Sequence, residues 1–406
     1  MITLPSGVLP VRDATTREVL YGARSTSFRF ELLGHNPASG VESFAGLLDG
    51  VEPQGGLLEW VSGAGVKKSG SLTVTDLLVA GAGLTRIADV DLVRTRIRPV
   101  MVVEGLPEFP LSVYLVTASP ESWSGTGRTF QVELHDKCTV LEQDAVEVTF
   151  TASASVSVLS VVQDLVVSAG ERISVDGADV RTLTTPLVWE AGTSKLRIVN
   201  DLLAALNYNS LWVDGLGSFR ATPYVRPADR VTRYTMLNDE SGEQLQRELV
   251  DGAESIYSPD WSRDVDLYSI PNKVIAVAQG SGDEAPLSAS VSNTDPVSPF
   301  SIAARGRTVV QIVSGVETPD FSGLADPAAA TLAFLTDKAR QVLVSASSVQ
   351  AGVSVKCLPI PLELMDAVVF AHSPAGIDAR HTVRRATVPL RFDGVMSLEL
   401  AEVVEL

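Results

Sequence analysis

Short runs of alternating apolar and polar residues dominate the first third of the chain. Between Gly22 and Asp144 these runs are rich in Val, Leu, Thr and Tyr and are separated by Gly, Pro and Ser. At 71–75 and 129–134 every second side chain is apolar, which is typical of a strand with one buried face. The segments predicted as strands are 27–33, 57–61, 70–77, 97–103, 111–118 and 130–134. Several short strands at this spacing predict a barrel or a sandwich.

The apolar period changes after Leu141. The stretch 155–169 places four apolar residues on one side of a helix that Gly170 would end: Val158, Val162, Leu165 and Val166. Its β-branched residues leave a strand as the alternative. A short strand is expected at 187–189.

The stretch 194–224 predicts a helix followed by a β-hairpin. Leu196, Val199, Leu203 and Leu206 recur at helical spacing, and the hydroxyl of Thr193 or Ser194 can cap the first turn. Strands are then expected at 211–213 and 218–222, around the Gly-containing turn 214–217. This segment carries no catalytic group, and we interpret it as a packing unit. The polar run 238–248 predicts a surface loop or a short helix.

The last third of the chain returns to the strand pattern. The expected strands are 272–278, 308–313, 353–358, 367–371, 386–391 and 396–404. One helix is predicted from Asp326 to about Ser345, with Asp326 as N-cap and Pro327 at the first helical position. Its expected buried stripe consists of Leu332, Leu335, Ala339, Val342 and Leu343.

These patterns predict a mainly β protein with an α+β insertion. A length of 406 residues indicates two or three domains. The predicted divisions are a β domain over 1–150, a helix-and-hairpin domain over 151–254 and a second β domain with one helix over 255–406. The similar character of the two β domains suggests an internal duplication.

Composition narrows the possible partners. Asp and Glu number 49 against 32 Lys and Arg, and the net charge of −17 disfavours a nucleic-acid-binding surface. Cys138 and Cys357 lie far apart in the sequence, and two buried free thiols are expected rather than a disulfide. The first residues lack the features of a signal peptide, and no apolar stretch is long enough for membrane insertion. The expected site of synthesis is therefore the cytoplasm.

The search for chemistry assigns no catalytic, cofactor-binding or metal-binding residue. None of His35, His135, His372 and His381 lies at metal-ligand spacing from another His or a Cys. His135 and Asp136 are neighbours in a predicted strand and therefore point to opposite faces. The residues Gly-Ala-Gly at 81–83 could begin a dinucleotide-binding loop, but the third Gly of that motif is missing. We therefore interpret 81–83 as a turn.

Two acidic groups and two basic pairs remain as candidates. Asp260, Asp264 and Asp266 form one possible cation site, and Asn238, Asp239 and Glu243 form another. Neither matches a known calcium loop, so solvated loops are favoured. The pairs Lys67-Lys68 and Arg384-Arg385 are interpreted as partner contacts or solvated faces, because no aromatic residues interleave with them.

Several strings resemble the minor tail proteins of siphophages that infect actinobacteria. The most specific part lies in 255–307, where a strand start of the form D-x-x-x-x-P-N-x-V precedes N-T-D-P-x-S-P-F. The matching residues are Asp266, Pro271, Asn272, Val274, Asn293, Thr294, Asp295, Pro296, Ser298, Pro299 and Phe300. The segments 58–60, 67–74 and 109–114 are similar to the same group, and the resemblance extends over roughly 50–400.

The resemblance implies a tail-tip (baseplate) hub in the virion. In such hubs two related β-barrel domains per chain form a homotrimer, whose ring adapts a six-fold tail to a three-fold tip. The implied partners are the distal tail protein, the tape measure protein and other minor tail or fibre proteins, while genomic DNA passes through without specific binding. The chain ends at Leu406, so a receptor-binding fibre or a lytic activity is expected on another polypeptide.

Two alternatives of other classes stay open. A carbohydrate-binding tail adhesin would use exposed aromatics, for which the candidates are Trp60, Trp123, Trp212 and Trp261, although Trp212 fits a hairpin core better. A cell-wall hydrolase would need an acidic pair such as Asp260 and Asp264. The favoured hypothesis is a structural, non-enzymatic protein.

Overall fold

A single large sheet carries strands from both ends of the chain. The computed structural model describes residues 19–20, 24–76, 81–124, 127–177, 179–238, 257–258, 260–265, 268–280, 285–296, 298–349 and 351–403. The fold is mainly β with few helices. From the first third of the chain the sheet takes β1 (Thr26–Asn36), β2 (Val41–Leu47), β3 (Val51–Val61), β4 (Lys68–Asp76), β5 (Thr95–Val103), β6 (Phe109–Pro110), β7 (Tyr114–Ala118), β8 (Glu121–Ser124) and β9 (Gly127–Asp136).

The middle of the chain forms a separate packing unit, here called the middle unit (residues 138–224). Its helices are α1 (Cys138–Gln143), α2 (Val158–Ser168) and α3 (Lys195–Ala205). Its strands are β10 (Phe150–Ala152), β11 (Ile173–Val175), β12 (Leu187–Trp189), β13 (Trp212–Val213) and β14 (Phe219–Ala221). The hairpin β13–β14 is extended by β11, which pairs in parallel with β14.

The remainder of the chain supplies a small sheet and the second half of the large one. Its strands are β15 (Thr232–Asn238), β16 (Ser262–Val265), β17 (Lys273–Ala278), β18 (Ser288–Ser292), β19 (Val310–Val316), β20 (Ala351–Cys357), β21 (Ala367–His372), β22 (Ile377–Pro389) and β23 (Met396–Glu402). Its helices are α4 (Ile302–Arg305) and α5 (Pro327–Val349). The small sheet has the order β18-β17-β19, and α5 packs on it.

The large sheet runs in the order β16-β20-β23-β22-β3-β4-β9-β7-β5-β1-β2, with β15 and β21 branching from β22. The junction between early and late strands is the antiparallel pair β3–β22, which aligns Leu57 with Pro389 and Val61 with Arg385. One buried cluster lies against the sheet and draws on both segments, including Leu58, Leu72, Val132, Val383, Leu398 and Leu400. Strands of the predicted first and third segments are thus hydrogen-bonded neighbours.

The strand alternation has the expected physical effect. In β4 and β9 the apolar residues Leu72, Val74, Val132 and Leu134 are fully buried, because alternate side chains of a strand point to one face. The expected free thiols are confirmed, since Cys138 and Cys357 are buried and unpaired. Among the described residues no helix combines the length and the apolar character needed to span a bilayer.

Several predicted elements are confirmed, including the strand at 187–189, the helix-plus-hairpin and the turn at 81–83. The predicted helix at 155–169 is confirmed over Val158–Ser168. The predicted strand 111–118 is wrong in its first part, because Ser112 has a φ of 87° and β7 begins only at Tyr114. Leu332 is 37% exposed and does not join the buried stripe of α5. The predicted segments do not include β2, β6, β8, β10, β11, β15, β16 or β18.

The barrel arrangement and the domain boundaries stay predictions. The described strands form an open sheet in which β2 and β16, at its two ends, each have one partner strand. The predicted surface loop or helix at 238–248 lies outside the described residues beyond Asn238, where β15 ends.

Candidate functional site

Of the two candidate acidic sites, the structure describes the side chains of Asp260 and Asp264. Asp264 lies on β16 opposite Gly352, and both Asp264 and Asp260 are exposed. Asp266, Asp239 and Glu243 lie outside the described residues. Among the described residues, neither Asp260 nor Asp264 belongs to a group of three potential metal ligands.

Only one of the four tryptophans proposed for the adhesin alternative is strongly exposed. Trp123 is 73% exposed, whereas Trp60 is 2% exposed and its indole N–H donates to the Tyr114 hydroxyl at 3.0 Å. Trp212 and Trp261 are partly buried. The expectation of exposed aromatics is thus wrong for Trp60, because alternation places it on the core face of β3.

The interpretation of Lys67-Lys68 as solvated or partner-facing is also wrong. Both side chains are buried, with exposures of 8% and 2%. The ammonium of Lys68 lies 5.0 Å from the centre of the Trp60 ring and donates to Glu363 at 2.7 Å and to the Val213 carbonyl at 3.1 Å. These contacts compensate the desolvation that a buried charge would otherwise cost. Arg385, in contrast, is partly buried and forms an ion pair with Glu399 on a neighbouring strand at 3.1 Å.

Lys68 belongs to a line of polar contacts between the large sheet and the middle unit, here called the polar seam. Its members are Glu42, Lys68, Arg96, Lys137, Glu171 and the turn 213–217. The two lysines donate to the two ends of the hairpin turn, since Lys137 reaches the Gly217 carbonyl at 2.7 Å. The Gly215 carbonyl accepts the backbone N–H of Ser112 at 3.1 Å. The hairpin tip is therefore held on the sheet by hydrogen bonds at three positions.

Close backbone approach fixes the tip as well. A Cβ at Gly215 would lie 2.4 Å from the Pro110 carbonyl oxygen, and a Cβ at Gly217 would lie 2.4 Å from a methyl of Val113. Gly217 also has a φ of 88°, a conformation that side chains with a Cβ disfavour. The turn residues identified in the sequence therefore serve docking as well as chain reversal.

A charge cluster occupies the centre of the seam. Lys137 contacts Glu42 and Glu171 at 2.6 Å each, and Arg96 pairs with the same two carboxylates. The side chains of Lys137 and Glu171 have no exposure to solvent. Two cations and two carboxylates thus neutralise each other in a dry environment, where an ion pair requires excellent geometry to repay its desolvation.

Helix-end geometry brings Glu171 into the cluster. Gly170 follows α2 with a φ of 75°. The backbone N–H of Glu171 donates to the Val166 carbonyl at 3.3 Å, as in a Schellman motif. The turn between β1 and β2 packs closely against the Glu171 backbone, since a Cβ at Gly40 would lie 2.8 Å from the Glu171 carbonyl carbon. The middle unit and the first hairpin of the sheet therefore meet at Glu171.

His35 adjoins the cluster without completing a metal site. Its Nε2 lies 3.9 Å from Glu171, and together with Glu42 the three could supply metal ligands. Both carboxylates are already engaged by Lys137 and Arg96, so a cation would have to displace them. Burial, and then the nearby Arg96, lowers the pKa of His35. The arrangement therefore fits a structural ion-pair network.

A partly buried carboxyl, that of Asp366, lies beyond Glu363. Asp366 accepts the Glu363 backbone N–H at 2.9 Å, and Arg233 lies 3.7 Å away. Burial raises the pKa of Asp366 to about 6, despite that hydrogen bond and the neighbouring arginines.

Asp136 is buried in the same region and accepts the backbone N–H groups of Lys67, Lys68 and Cys138. Asp136 and Asp366 therefore hold the backbone beside the polar seam in place by accepting hydrogen bonds from its N–H groups.

Sequence reasoning missed the seam because its members are distant along the chain. Glu42, Arg96, Lys137 and Glu171 come from four separate segments, and none has a local spacing that indicates a partner. The paired Lys67-Lys68 inside a strand-like run was the one available signal, since strand alternation requires one of two neighbours to face inward.

Solved structures with a similar fold include two tail proteins and the Francisella PdpA–VgrG complex. No protein-family model matches the sequence, and the search of curated proteins found no match. A tail protein from Neisseria meningitidis MC58 has a TM-score of 0.59 at 11% identity, covering 93% of this chain and 97% of that one. The 43 kDa tail protein of prophage MuSo2 from Shewanella oneidensis has a TM-score of 0.56 at 12% identity, covering 92% and 98%.

The third neighbour is the Francisella PdpA–VgrG complex, with a TM-score of 0.50 at 10% identity. Its match covers 98% of this chain and 62% of the other chain. At these identities the likeness establishes the fold alone. The resemblance to phage tail proteins that the sequence indicates is therefore confirmed at the level of the fold, and the chain has the fold of phage tail proteins.

Proposed function

We propose that this chain is a structural protein of the tail tip of a long-tailed phage, without enzymatic activity. The observation that carries this proposal is a fold shared with tail proteins over nearly the full length of both chains. The polar seam adds support, because a buried ion-pair network that fixes two units in one orientation suits a load-bearing part. In the proposed particle the chain joins the tail tube and distal tail protein to the tip and fibre proteins.

The proposed assembly is a homotrimeric ring. Two barrel-type domains per chain, over 1–150 and 255–406, would then give six similar segments around the tail axis, with the tape measure protein as a neighbour. Open sheet edges support this arrangement, since β2 pairs only with β1 in the described part and exposes Phe44 at 63%. Unprotected edges are natural places for pairing between copies.

The net charge of −17 supports a second element of the proposal. An acidic wall around the exit channel would repel the DNA backbone, so that genomic DNA passes without adhering. A neutral or basic channel lining in the assembled particle would overturn this element alone.

The direct test is a cryo-electron microscopy reconstruction of the phage tail, with native mass spectrometry of the purified chain. We expect three copies around the tail axis at the tip. One or six copies would overturn the trimeric ring, and a tail without this chain would overturn the structural assignment. A chain that turns over cell-wall polymer when purified would contradict the non-enzymatic role.

A further inference from the structure

A groove of about 400 Å³ lies on the face of the large sheet formed by β16, β20, β23 and β22. Its lining includes Trp261, Ser354, Lys356, Arg385, Ser397 and Glu399. None of them takes part in the polar seam. The groove therefore needs an explanation separate from the attachment of the middle unit.

Strand register arranges the polar lining in two rows. Ser354 aligns with Glu399, which aligns with Arg385 on the next strand. One step along the strands, Lys356 aligns with Ser397, and Ser397 aligns with Thr387. Side chains two residues apart on a strand share a face, so along each of these three strands one hydroxyl group lies next to one charged group. Such a surface offers hydrogen-bond donors and acceptors beside apolar atoms of the same lining.

Trp261 supplies the aromatic wall of the groove. Its ring packs against Phe370, with centroids 5.4 Å apart, and against His372 at 5.0 Å. These contacts hold the ring in one orientation while the residue still lines the groove. An indole fixed in this way presents an apolar surface beside the two polar rows.

The charges of the groove balance. Asp260 and Glu399 oppose Lys356 and Arg385, and Arg385 is paired with Glu399 at 3.1 Å and lies 3.6 Å from Glu59. A polyanion or a polycation would find no net attraction in such a site. A ligand rich in hydroxyl groups, neutral, and apolar on one ring face matches all three properties of the lining.

We propose that this groove binds a neutral oligosaccharide, with one sugar ring stacked on Trp261 and its hydroxyls bonded to the two polar rows. The cavity volume falls within the range of small-ligand sites and suits a disaccharide-sized segment. This activity goes beyond the proposed structural function and does not depend on it, because it resides in the individual chain.

The test uses the full-length chain and a panel of neutral tetrasaccharides of glucose, mannose, galactose, arabinose and N-acetylglucosamine. Binding is measured by isothermal titration calorimetry and saturation-transfer NMR. We expect saturable binding of at least one member of the panel. Ser354→Arg places a long side chain in the groove from an exposed position, and we expect it to weaken binding by at least about tenfold.

Controls separate a lost site from a lost fold. Ser290→Arg makes the same change at an exposed strand position of the small sheet, and it should bind like the wild type. Trp261→Phe should retain part of the affinity and Trp261→Ala should not, while both are checked for an unchanged thermal unfolding midpoint. Failure of the whole panel to bind, or binding unaffected by Ser354→Arg, would overturn the proposal. A change of oligomeric state on Ser354→Arg would overturn it too, since the groove would then be an interface between copies.

Discussion

The large sheet and the polar seam hold the molecule together by different physical means. The sheet buries one continuous apolar cluster that includes Leu72 from the early strands and Leu398 from the late ones. The middle unit has its own apolar cluster, which includes Val199 and Phe219. Between these two clusters lies the polar seam, where lysines, carboxylates and backbone carbonyls form the contact.

We expect the apolar core of the large sheet and the polar seam to differ in how well they tolerate substitutions. Apolar packing is non-directional, so a core accepts substitutions that conserve volume at modest cost. A buried charge network is directional, and removal of one partner leaves another charge desolvated and unpaired. We therefore expect the seam to determine the orientation of the middle unit and to be the less tolerant region of the two.

The largest effect is expected for Lys137→Met. The substitution keeps most of the side-chain length but removes the ammonium that neutralises Glu42 and Glu171 and the donor to Gly217. Breaking a buried pair in this way costs about 3–5 kcal/mol of unfolding free energy. Urea denaturation measures the change.

The matched control is Lys195→Met, which removes an ion pair with Asp144 that is partly open to solvent. Pairs of that kind contribute about 0–1 kcal/mol. The double variant Lys137→Met with Glu171→Gln should recover part of the loss, because it leaves one fewer unpaired charge. If the two lysine substitutions lowered the unfolding free energy equally, the buried charges of the seam would contribute no more to stability than a partly exposed ion pair.

The next effect is expected for Gly217→Ala. Its Cβ would lie 2.4 Å from Val113 at a φ of 88°, so overpacking and backbone strain combine to about 2–4 kcal/mol. Gly192 has the same φ but no atom within 4 Å of its Cβ position, so Gly192→Ala isolates the strain. A free-energy loss no greater at Gly217 than at Gly192 would contradict close docking of the hairpin tip.

The sequence predicted local elements well and the seam poorly, for one physical reason. The helix at 195–205 and the hairpin after it follow from side-chain period, capping and turn chemistry within about thirty residues. Burial of Lys137 depends on Glu42 and Glu171, which reach it through two other segments of the chain. No local pattern encodes such a meeting.

Strand β22 shows the same limit within the sheet. Its second half was predicted, but its first half contains Asp378, Arg380 and His381 and does not alternate like a half-buried strand. Pairing with β21 and then with β23 stabilises this half. The edge strand β2 was missed because its sequence VESFAGL contains polar residues and a Gly. Tertiary pairing supplied what strand propensity did not.

A smaller, pH-dependent effect is expected for Asp366→Asn. The pKa of Asp366 rises from 3.8 to about 6 on folding, so the folded state binds the proton more tightly than the unfolded state. The contribution of this carboxyl to stability therefore falls as the pH rises from 3.8 to about 6 and stays low above that range.

Asn keeps an oxygen for the Glu363 N–H without the charge. We expect Asp366→Asn to be more stable than the wild type at pH 8 by about 2–3 kcal/mol, since one pKa unit corresponds to about 1.4 kcal/mol. The advantage should disappear near pH 4. Urea denaturation of both proteins across this range measures the difference, and a difference that does not vary with pH would contradict the assignment.

The smallest effect is expected at the start of α3, inside the middle unit. The Ser194 hydroxyl accepts the Arg197 backbone N–H at 3.3 Å, and loss of such an N-cap costs about 1 kcal/mol. The sequence left Thr193 as an equal candidate, but its hydroxyl donates to the Glu190 carbonyl at 2.8 Å and caps no helical N–H. Ser194→Ala should therefore speed hydrogen exchange at the Arg197 amide, whereas Thr193→Ala should leave it unchanged. Because this cap lies away from the seam, exchange in β13 and β14 should stay the same in both variants; faster exchange there would mean that helix and hairpin open as one unit.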